Sequence, residues 1–200
     1  MTRLLLVRHG QSEWNAVGRW QGQADPPLSP LGLAQARQAA TSLRGDVDAV
    51  VSSDLQRASE TARIMAEHLE LGPVSAIRQW RERDVGQFTG LTRSEIEARW
   101  PGILAEPTPD IPGGEPSTAL LRRGLEAVDE VVRTYGDARV LVVSHGGLIR
   151  RLERHLGAAN TPLPNLGGVW LEADRQQMRA GPRLLLVDPD EVLVTIPQEL

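Results

Sequence analysis

Three short apolar runs recur along the chain, and each one ends in polar residues that lead into a helical pattern. The runs occupy residues 4–7, 49–51 and 140–143. Short apolar runs that contain β-branched residues and stop at polar ones are typical of buried parallel strands. Because strands of this kind alternate with helical patterns, we predict an α/β fold built on a parallel sheet.

Polar residues follow the predicted strands and come to one shared edge of the sheet. Arg8 and His9 follow the first run and precede a glycine, whereas Ser144 and His145 follow the third run and precede two glycines. Ligands of open α/β sheets bind at the carboxyl ends of the strands. A guanidinium group beside an imidazole, followed by glycine, suits a small anion, and phosphate is the obvious candidate.

Arg57 follows the second run and falls in the first turn of a predicted helix. Ser53 and Gln56 have the spacing of a capping box, and apolar residues keep helical spacing from there to Gly72. The positive end of the helix dipole opposes a cation in that turn. A bound anion relieves this conflict, since helix N-termini and guanidinium groups both favour anions. A solvated surface arginine is the alternative interpretation.

The rest of the chain completes one predicted domain, residues 1–200. A proline-rich stretch favours a short cap or lid around 91–116, and residues 78–90 lack periodicity and indicate a loop. Further helices and late strands are expected where apolar residues recur. The expected helices cover 30–43 (capped by Ser29), 92–100 and 148–156, and a further long helix has Leu121, Leu125, Val128, Val132 and Tyr135 on one face. The expected strands cover 168–172, 183–187 and 191–196.

The composition excludes several kinds of function. The chain has no cysteine, which removes thiolate nucleophiles and cysteine-based metal sites. It has no lysine, which removes a Walker-type phosphate site and Schiff-base chemistry. The formal net charge of -4 argues against nucleic acid or an anionic membrane as partner. No apolar run approaches the length that spans a membrane, and we expect a cytoplasmic protein.

The predicted edge gathers two cations, two imidazoles and one carboxylate. A neutral imidazole attacks phosphorus when a hydrogen bond fixes its other ring nitrogen, and His9 is the expected nucleophile. Arg8 and Arg57 are expected to hold the phosphoryl oxygens, while His145 steadies the transferring group. Glu82 is the expected acid that protonates the leaving oxygen and later activates water. Two histidines and a carboxylate also suit zinc or iron, but the neighbouring arginines disfavour a dication.

Five patterns are spread over residues 3–156: Leu-Val-Arg8-His9-Gly10-Gln-Ser-Glu-Trp-Asn15, Ser53-Asp54-Leu55-Gln-Arg57-Ala58-x-x-Thr61-Ala62, Arg81-Glu82-x-x-x-Gly86-x-Phe-x-Gly90, Gly113-Gly114-Glu115 and Ser144-His145-Gly146-Gly147. Together they resemble the histidine phosphatase superfamily, which has the phosphoglycerate-mutase-like fold. The resemblance implies a three-layer α/β/α sandwich with a largely parallel central sheet, a phosphohistidine on His9 and no metal or other cofactor. The residues implied to bind phosphate are Arg8, Asn15, Gln21, Gly22, Arg57, His145 and Gly146.

The phosphatase branch of this superfamily fits the chain better than the mutase branch. Cofactor-dependent phosphoglycerate mutases are usually longer after the catalytic glutamate, where this chain has only a short proline-rich stretch. The Gly113-Gly114-Glu115 segment resembles that of glucosyl-3-phosphoglycerate phosphatases, although Pro116 stands where they commonly have serine. We therefore expect a phosphomonoester hydrolase acting on small phosphorylated metabolites. A phosphoglycerate mutase and a non-catalytic phosphoester-binding regulatory module are the alternatives.

The expected partner is a small-molecule phosphoester, with no nucleic acid and no membrane. A homodimer stays open, because no interface can be read from the sequence. Candidate substrate contacts in the predicted loops are Arg19, Trp20, Arg83 and Asn165.

Overall fold

The computed structural model describes residues 1–43, 45–106, 109–158, 161–174, 176–188 and 190. Its strands are β1 (Thr2–Arg8), β2 (Ala49–Ser52), β3 (Ser75–Ala76), β4 (Arg139–Ser144), β5 (Gly167–Ala173) and β6 (Met178–Leu185). Its α-helices are α1 (Glu13–Ala16), α2 (Pro30–Thr41), α3 (Gln56–His68), α4 (Arg93–Arg99), α5 (Ser117–Tyr135) and α6 (Gly146–His155). Single 3-10 turns cover Arg78–Trp80, Gly86–Phe88 and Ile103–Ala105.

The six strands form one mixed sheet in the order β3-β2-β4-β1-β5-β6. Strands β1 to β4 pair in parallel, whereas β5 and β6 run antiparallel to their neighbours. Side chains of β1 alternate between the two faces, so that Leu4 and Leu6 pack with α5 and α6, and Leu5 and Val7 pack with α2 and α3. Helices cover both faces, which confirms the three-layer sandwich with a largely parallel sheet.

The parallel strands end at the same edge of the sheet. Arg8, the last residue of β1, is the register partner of Ser144, the last residue of β4. The amide of His9 donates to the carbonyl oxygen of Ser144 at 3.0 Å. Ser52 ends β2 on the other side of β4. The residues that follow these strands, His9 and His145 among them, therefore start their loops side by side.

Residues around the predicted cap form an apolar cluster of their own, separate from the two clusters that cover the sheet. Helix α4 belongs to it and begins as predicted, with a capping box between Thr92 and Glu95. The division of the chain into one domain with a cap around 91–116 stays a prediction. The buried members of this cap cluster are Trp20, Val85, Phe88, Ile96, Leu104 and Ile111.

One of two predictions about helices is wrong in detail, and the other is confirmed. Helix α3 begins at Gln56 after Leu55 without a side-chain cap, and the hydroxyl of Ser53 instead accepts the amide of Leu55 at 3.2 Å. The predicted capping box is absent because Ser53 lies two residues before the N-cap position, Leu55. The apolar face predicted for α5 is confirmed, since Val128 is buried in the core and the other four predicted residues are partly buried and pack against it: Leu121, Leu125, Val132 and Tyr135. The buried residues of α5 are Leu120, Gly124, Ala127, Val128 and Val131.

The late strands show a second difference. The predicted strand 168–172 is confirmed as β5, but the strand predicted at 183–187 is β6, which starts five residues earlier. Pro182 lies within β6, and proline is tolerated there because β6 is the edge of the sheet. The prediction for 191–196 lies outside the described residues. The helix expected over 30–43 is α2, and Ser29 caps it by accepting the amide of Gly32 at 3.1 Å.

Gly32 in α2 lies directly against the loop that follows β1. A Cβ atom built on it would overlap the carbonyl oxygen of Gln11 and lie 2.9 Å from two other backbone atoms of that residue. Replacing glycine by alanine inside a helix normally stabilises by about 1 kcal/mol. Here the overlap reverses the sign, and we expect Gly32→Ala to lower the free energy of unfolding by about 1–3 kcal/mol.

Urea unfolding measures this effect. Gly72→Ala is the control, since nothing lies within 4 Å of a Cβ atom built on Gly72. A Gly32→Ala variant that is as stable as the wild type would show that α2 and this loop do not approach so closely.

Candidate active site

His9 lies directly beyond β1 and is buried, with 3% of its surface exposed. Its Nδ1 lies 2.6 Å from the carbonyl oxygen of Gly10, and because a carbonyl oxygen only accepts, Nδ1 carries the proton. Arg57 donates its Nε hydrogen to Nε2 of His9 at 3.2 Å. The ring is therefore a neutral imidazole whose lone pair is on Nε2, the form that a nucleophile requires.

His145 lies against His9, with the ring centroids 5.1 Å apart in an edge-to-face arrangement. Burial lowers the pKa of His145 well below its usual 6.5, and the charge of Arg57 acts in the same direction. Burial is also the main cause that lowers the pKa of His9, followed by the charges of Arg57 and Arg8. The hydrogen bond to Gly10 opposes this shift but does not reverse it. Both imidazoles are consequently neutral at pH 7.

The ring nitrogens of His145 stand out among the buried polar atoms. Within the described part of the chain, neither Nδ1 nor Nε2 has a hydrogen-bond partner, although the side chain is fully buried. Buried polar groups in proteins nearly always have partners, so an unpartnered pair calls for a ligand or water. This ring is thus ready to bind a group held next to His9.

Arg57 is fixed by the loop that follows α1. Its Nη1 and Nη2 donate to the carbonyl oxygens of Ala24 and Gly22 at 2.7 and 2.8 Å. Asp25 lies 3.9 Å from Nη1 and also accepts the amide of Gln56, at the start of α3, at 2.7 Å. These bonds hold the buried guanidinium group with its Nε toward His9. The first-turn position predicted for Arg57 is confirmed.

Arg8 and the glycines of the predicted phosphate pocket are packed closely together. Arg8 is buried and donates Nη1 to the carbonyl oxygen of Leu163 at 2.8 Å. Gly146, the first residue of α6, lies against it, because a Cβ atom there would be 3.4 Å from Arg8 Cδ. Gly22 has a φ of +50° and leaves no room for a side chain, since a Cβ atom would be 2.7 Å from Val85 Cγ2.

Asn15 and Gln21 are both buried, and both bind Ser12. Oδ1 of Asn15 accepts the amide of Ser12 at 3.2 Å, and Oε1 of Gln21 accepts its hydroxyl group at 2.8 Å. The protein thus uses the oxygen atom of each side-chain amide. A phosphate would meet the nitrogen atoms, which are the donors that an anion needs. Their role as phosphate ligands stays a prediction.

Glu82 reaches the start of α6 from the loop that follows β3. Its Oε2 accepts the amide of Gly147 at 2.9 Å, and its Oε1 accepts the amide of Arg83 at 2.7 Å. A Cβ atom built on Gly147 would overlap Glu82 Oε1, so glycine is what lets the carboxylate come so close to the helix. The carboxylate is therefore fixed at the helix that carries His145 at its N-cap.

Two buried side chains hold the backbone around His9: Asn165, which was expected to contact substrate, and Thr61, which the sequence did not mark as a site residue. Asn165 donates Nδ2 to the carbonyl oxygen of His9 at 2.8 Å. Thr61 accepts the amide of Gly10 at 3.1 Å and donates to the carbonyl oxygen of Arg57 at 2.7 Å. Thr61 thereby joins the loop after β1 to helix α3. Its place in the Arg57-Ala-x-x-Thr61 pattern was the available signal.

The candidate substrate contacts have partners within the protein. Asn165 binds the backbone of His9, as described above. Arg83 donates Nε and Nη2 to the carbonyl oxygens of Glu115 and Pro109 at 2.8 and 3.1 Å, and Arg19 binds the carbonyl oxygen of Gly90. Trp20 is 3% exposed and packs against Phe88, and its contact with substrate stays a prediction.

The edge of the sheet thus combines two arginines, two neutral imidazoles and a carboxylate, a set that can hold a phosphoryl group, attack it and protonate a leaving oxygen. Among the described residues, no three His, Cys, Asp or Glu side chains gather as a metal site. In the same residues, no helix is long and apolar enough to cross a membrane. The absence of a metal from the reaction stays a prediction.

Fold and site together indicate a phosphoryl-transfer enzyme, and the role of His9 as its nucleophile stays a prediction. Residues 4–177 match the family model described as the histidine phosphatase superfamily (branch 1). The chain therefore belongs to the histidine phosphatase superfamily.

The relatives of this chain are named for different activities. The chain is 35% identical to a metal-independent phosphoserine phosphatase of Arabidopsis thaliana over 169 residues, 80% of this chain and 71% of the relative. It is also 35% identical to a 2,3-bisphosphoglycerate-dependent phosphoglycerate mutase of Methylobacterium radiotolerans, over 83% of this chain and 85% of the relative. The structure of a mycobacterial glucosyl-3-phosphoglycerate phosphatase in complex with VO3 superposes with a TM-score of 0.81 and 32% identity, over 93% of this chain and 99% of that one. As a member of this superfamily with such phosphatase relatives, the chain is a phosphoric monoester hydrolase.

The buried neutral histidines make stability depend on pH. Below pH 6.5 the unfolded chain takes up protons on His9 and His145, whereas the folded chain does not until the lower folded-state pKa values are reached. The unfolded state then binds more protons, so the free energy of unfolding falls with falling pH. We expect up to about 1.4 kcal/mol per pH unit from each histidine.

Urea unfolding at several pH values between 7.5 and about 5 tests this. His145→Asn should reduce the slope below pH 6.5 by that amount. The same slope in the wild type and in His145→Asn would show that His145 is charged in the folded protein.

Proposed function

We propose that the enzyme hydrolyses phosphomonoesters of small metabolites in two steps through a phosphohistidine on His9, without a metal. The observation that carries this proposal is the state of His9. The bond from Nδ1 to Gly10 leaves the lone pair on Nε2, and the Nε2 atom is directed at Arg57 Nε, a group that binds phosphoryl oxygens. A structural histidine would have no need of two arginines that lower its pKa.

In the first step, the substrate phosphoryl group enters between His9 and Arg57. One of its oxygens accepts the hydrogen bond from Arg57 Nε, which without substrate is donated to His9 Nε2 at 3.2 Å. The guanidinium groups of Arg8 and Arg57 and the imidazole of His145 bind its oxygens and offset charge in the transition state. The bond from Nε2 to phosphorus forms as the bond from phosphorus to the leaving oxygen breaks, and Glu82 gives that oxygen a proton.

In the second step, Glu82 acts as a base. It takes a proton from a water molecule that attacks the phosphorus atom, and the bond from phosphorus to His9 Nε2 breaks. The two amides that bind Glu82, from Arg83 and Gly147, keep the carboxyl group at the same place in both steps. Inorganic phosphate then leaves, and Arg57 Nε returns to His9.

A small-molecule phosphoester is the proposed partner, and neither nucleic acid nor a membrane belongs to the proposal. The net charge of -4 supports this, since a polyanionic partner would be repelled. A cytoplasmic location is part of the proposal, because phosphorylated metabolites are held inside cells by their charge; cell fractionation tests it. A homodimer stays open.

Phosphoglycerate mutase is the second candidate, because a relative of that name is as similar to this chain as the phosphoserine phosphatase is. A mutase must keep water away from its phosphohistidine, and the cap of this chain is short. A coupled assay that interconverts 2- and 3-phosphoglycerate separates the two activities. Tight phosphoester binding without a trapped phosphohistidine would instead indicate a non-catalytic binding module.

The nucleophile is tested by phosphate release from p-nitrophenyl phosphate in excess EDTA. We expect the wild type to be active and His9→Ala to be inactive, because no other side chain offers a neutral imidazole nitrogen to the phosphoryl group in the same position. Rapid quenching at alkaline pH should trap a phosphohistidine in the wild type. Turnover by His9→Ala would refute the mechanism, and loss of turnover in EDTA would refute its independence of metal.

The proton donor is tested by comparing leaving groups. We expect Glu82→Gln to lower turnover of an alkyl phosphate by about 10²- to 10⁴-fold, because the alkoxide needs a proton. The loss for p-nitrophenyl phosphate should be much smaller, since p-nitrophenolate leaves without one. Equal losses for both substrates would count against Glu82 as the acid.

A further inference from the structure

One side chain from another element binds three backbone carbonyls of the loop that carries Glu82. Arg123, on α5, donates Nη1 to the carbonyl oxygens of Gln79 and Arg81 at 2.8 and 2.5 Å. Its Nη2 donates to the carbonyl oxygen of Glu82 itself at 2.8 Å. Three backbone carbonyls of one irregular segment thus converge on a single guanidinium group, which fixes the path of the segment.

The same guanidinium group is held on its other side by Glu115. Nε and Nη2 of Arg123 bind the two carboxylate oxygens of Glu115 at 2.7 and 2.8 Å, and both side chains are largely shielded from solvent. The amide of Glu115 donates to the carbonyl oxygen of Asp84 at 2.8 Å. Glu115 therefore orients Arg123 and also binds the residue two positions after Glu82.

The contact between α5 and α6 connects this anchor to the other support of Glu82. Gly124, next to Arg123, lies against α6 so closely that a Cβ atom there would be 2.8 Å from Leu148 Cδ1. Leu148 directly follows Gly147, whose amide binds the Glu82 carboxylate. The backbone of Glu82 is thus fixed by α5, and its carboxylate is fixed by α6. The two helices are in contact at Gly124 and Leu148, which are the neighbours of the two residues that bind Glu82.

We propose that Arg123, oriented by Glu115, is the positioning residue that holds the Glu82 carboxyl group in line with the leaving oxygen of the substrate. The inference rests on the proposed role of Glu82 as proton donor. Arg123 does not touch the carboxylate, and it acts through the backbone of the segment 79–82. Proton transfer depends steeply on donor position, so small displacements reduce the rate.

The test uses Arg123→Met, which keeps most of the length of the side chain and removes every donor. Arg122→Met is the matched control, because Arg122 is the neighbouring residue on α5 and is exposed. We expect Arg123→Met to lower kcat/KM for an alkyl phosphate by about 10- to 100-fold, and for p-nitrophenyl phosphate by less than about threefold. Arg122→Met should lower neither. Equal losses for both substrates, or none for either, would overturn the proposal.

A double-variant measurement separates positioning from a general loss of structure. In the Glu82→Gln background, adding Arg123→Met should cause little further loss, since the group that it positions has already been replaced. Losses that multiply would overturn the proposal. If Arg123→Met does not fold, Glu115→Gln removes the ionic partner of Arg123 and should give the same dependence on the leaving group; a loss independent of the leaving group would overturn it.

These outcomes also distinguish the positioning role from the proposed function. If Glu82→Gln affects both substrates equally, Glu82 is not the acid and the role of Arg123 fails with it. If Glu82→Gln shows the dependence on the leaving group and Arg123→Met does not, the mechanism stands and only the positioning role is overturned.

Discussion

The hydrogen bond from His9 Nδ1 to the carbonyl oxygen of Gly10 determines how the rest of the site works. It leaves the lone pair on Nε2 in a place that is buried and flanked by Arg57. Burial and the two arginines keep the ring neutral. In the proposed mechanism this neutral ring is the nucleophile, and the same arginines attract the group that it attacks. Thr61 and Asn165 then fix the peptide group between His9 and Gly10, because Thr61 accepts the amide of this group and Asn165 donates to its carbonyl oxygen.

Close approach of backbone to side chain recurs throughout the site. Gly146 lies against Arg8, Gly147 against Glu82, and Gly22 against Val85. At Gly147 and Gly22 a side chain would collide with a neighbour, so glycine is required there by space and, at Gly22, by backbone conformation as well. The parallel sheet brings these loops to one edge, and the glycines allow the loops to come within hydrogen-bonding distance of one another.

The sequence was sufficient for the α/β class and for the set of residues at the edge, because both depend on short patterns: an apolar strand followed by His and Gly. It was insufficient where long-range contacts decide. Asn165 was expected at the substrate but binds the carbonyl oxygen of His9, and Trp20 is inside the cap cluster. Arg123 lies in an amphipathic helix and looks like any solvated arginine until the fold brings three carbonyl oxygens to it. Strand β6 was misplaced because pairing with β5, rather than its own apolar residues, sets its start.

In the proposed mechanism, the bond between Arg57 Nε and His9 Nε2 makes the reactivity of His9 depend on occupancy of the site. In the empty enzyme the Nε2 lone pair that would attack phosphorus accepts a hydrogen bond from Arg57. An electrophile without negative charge offers Arg57 no better acceptor and so does not release the lone pair. An anion releases it, because it offers the guanidinium group a stronger acceptor than the imidazole nitrogen. The enzyme therefore selects for charge before any part of the substrate beyond its phosphoryl group has been recognised.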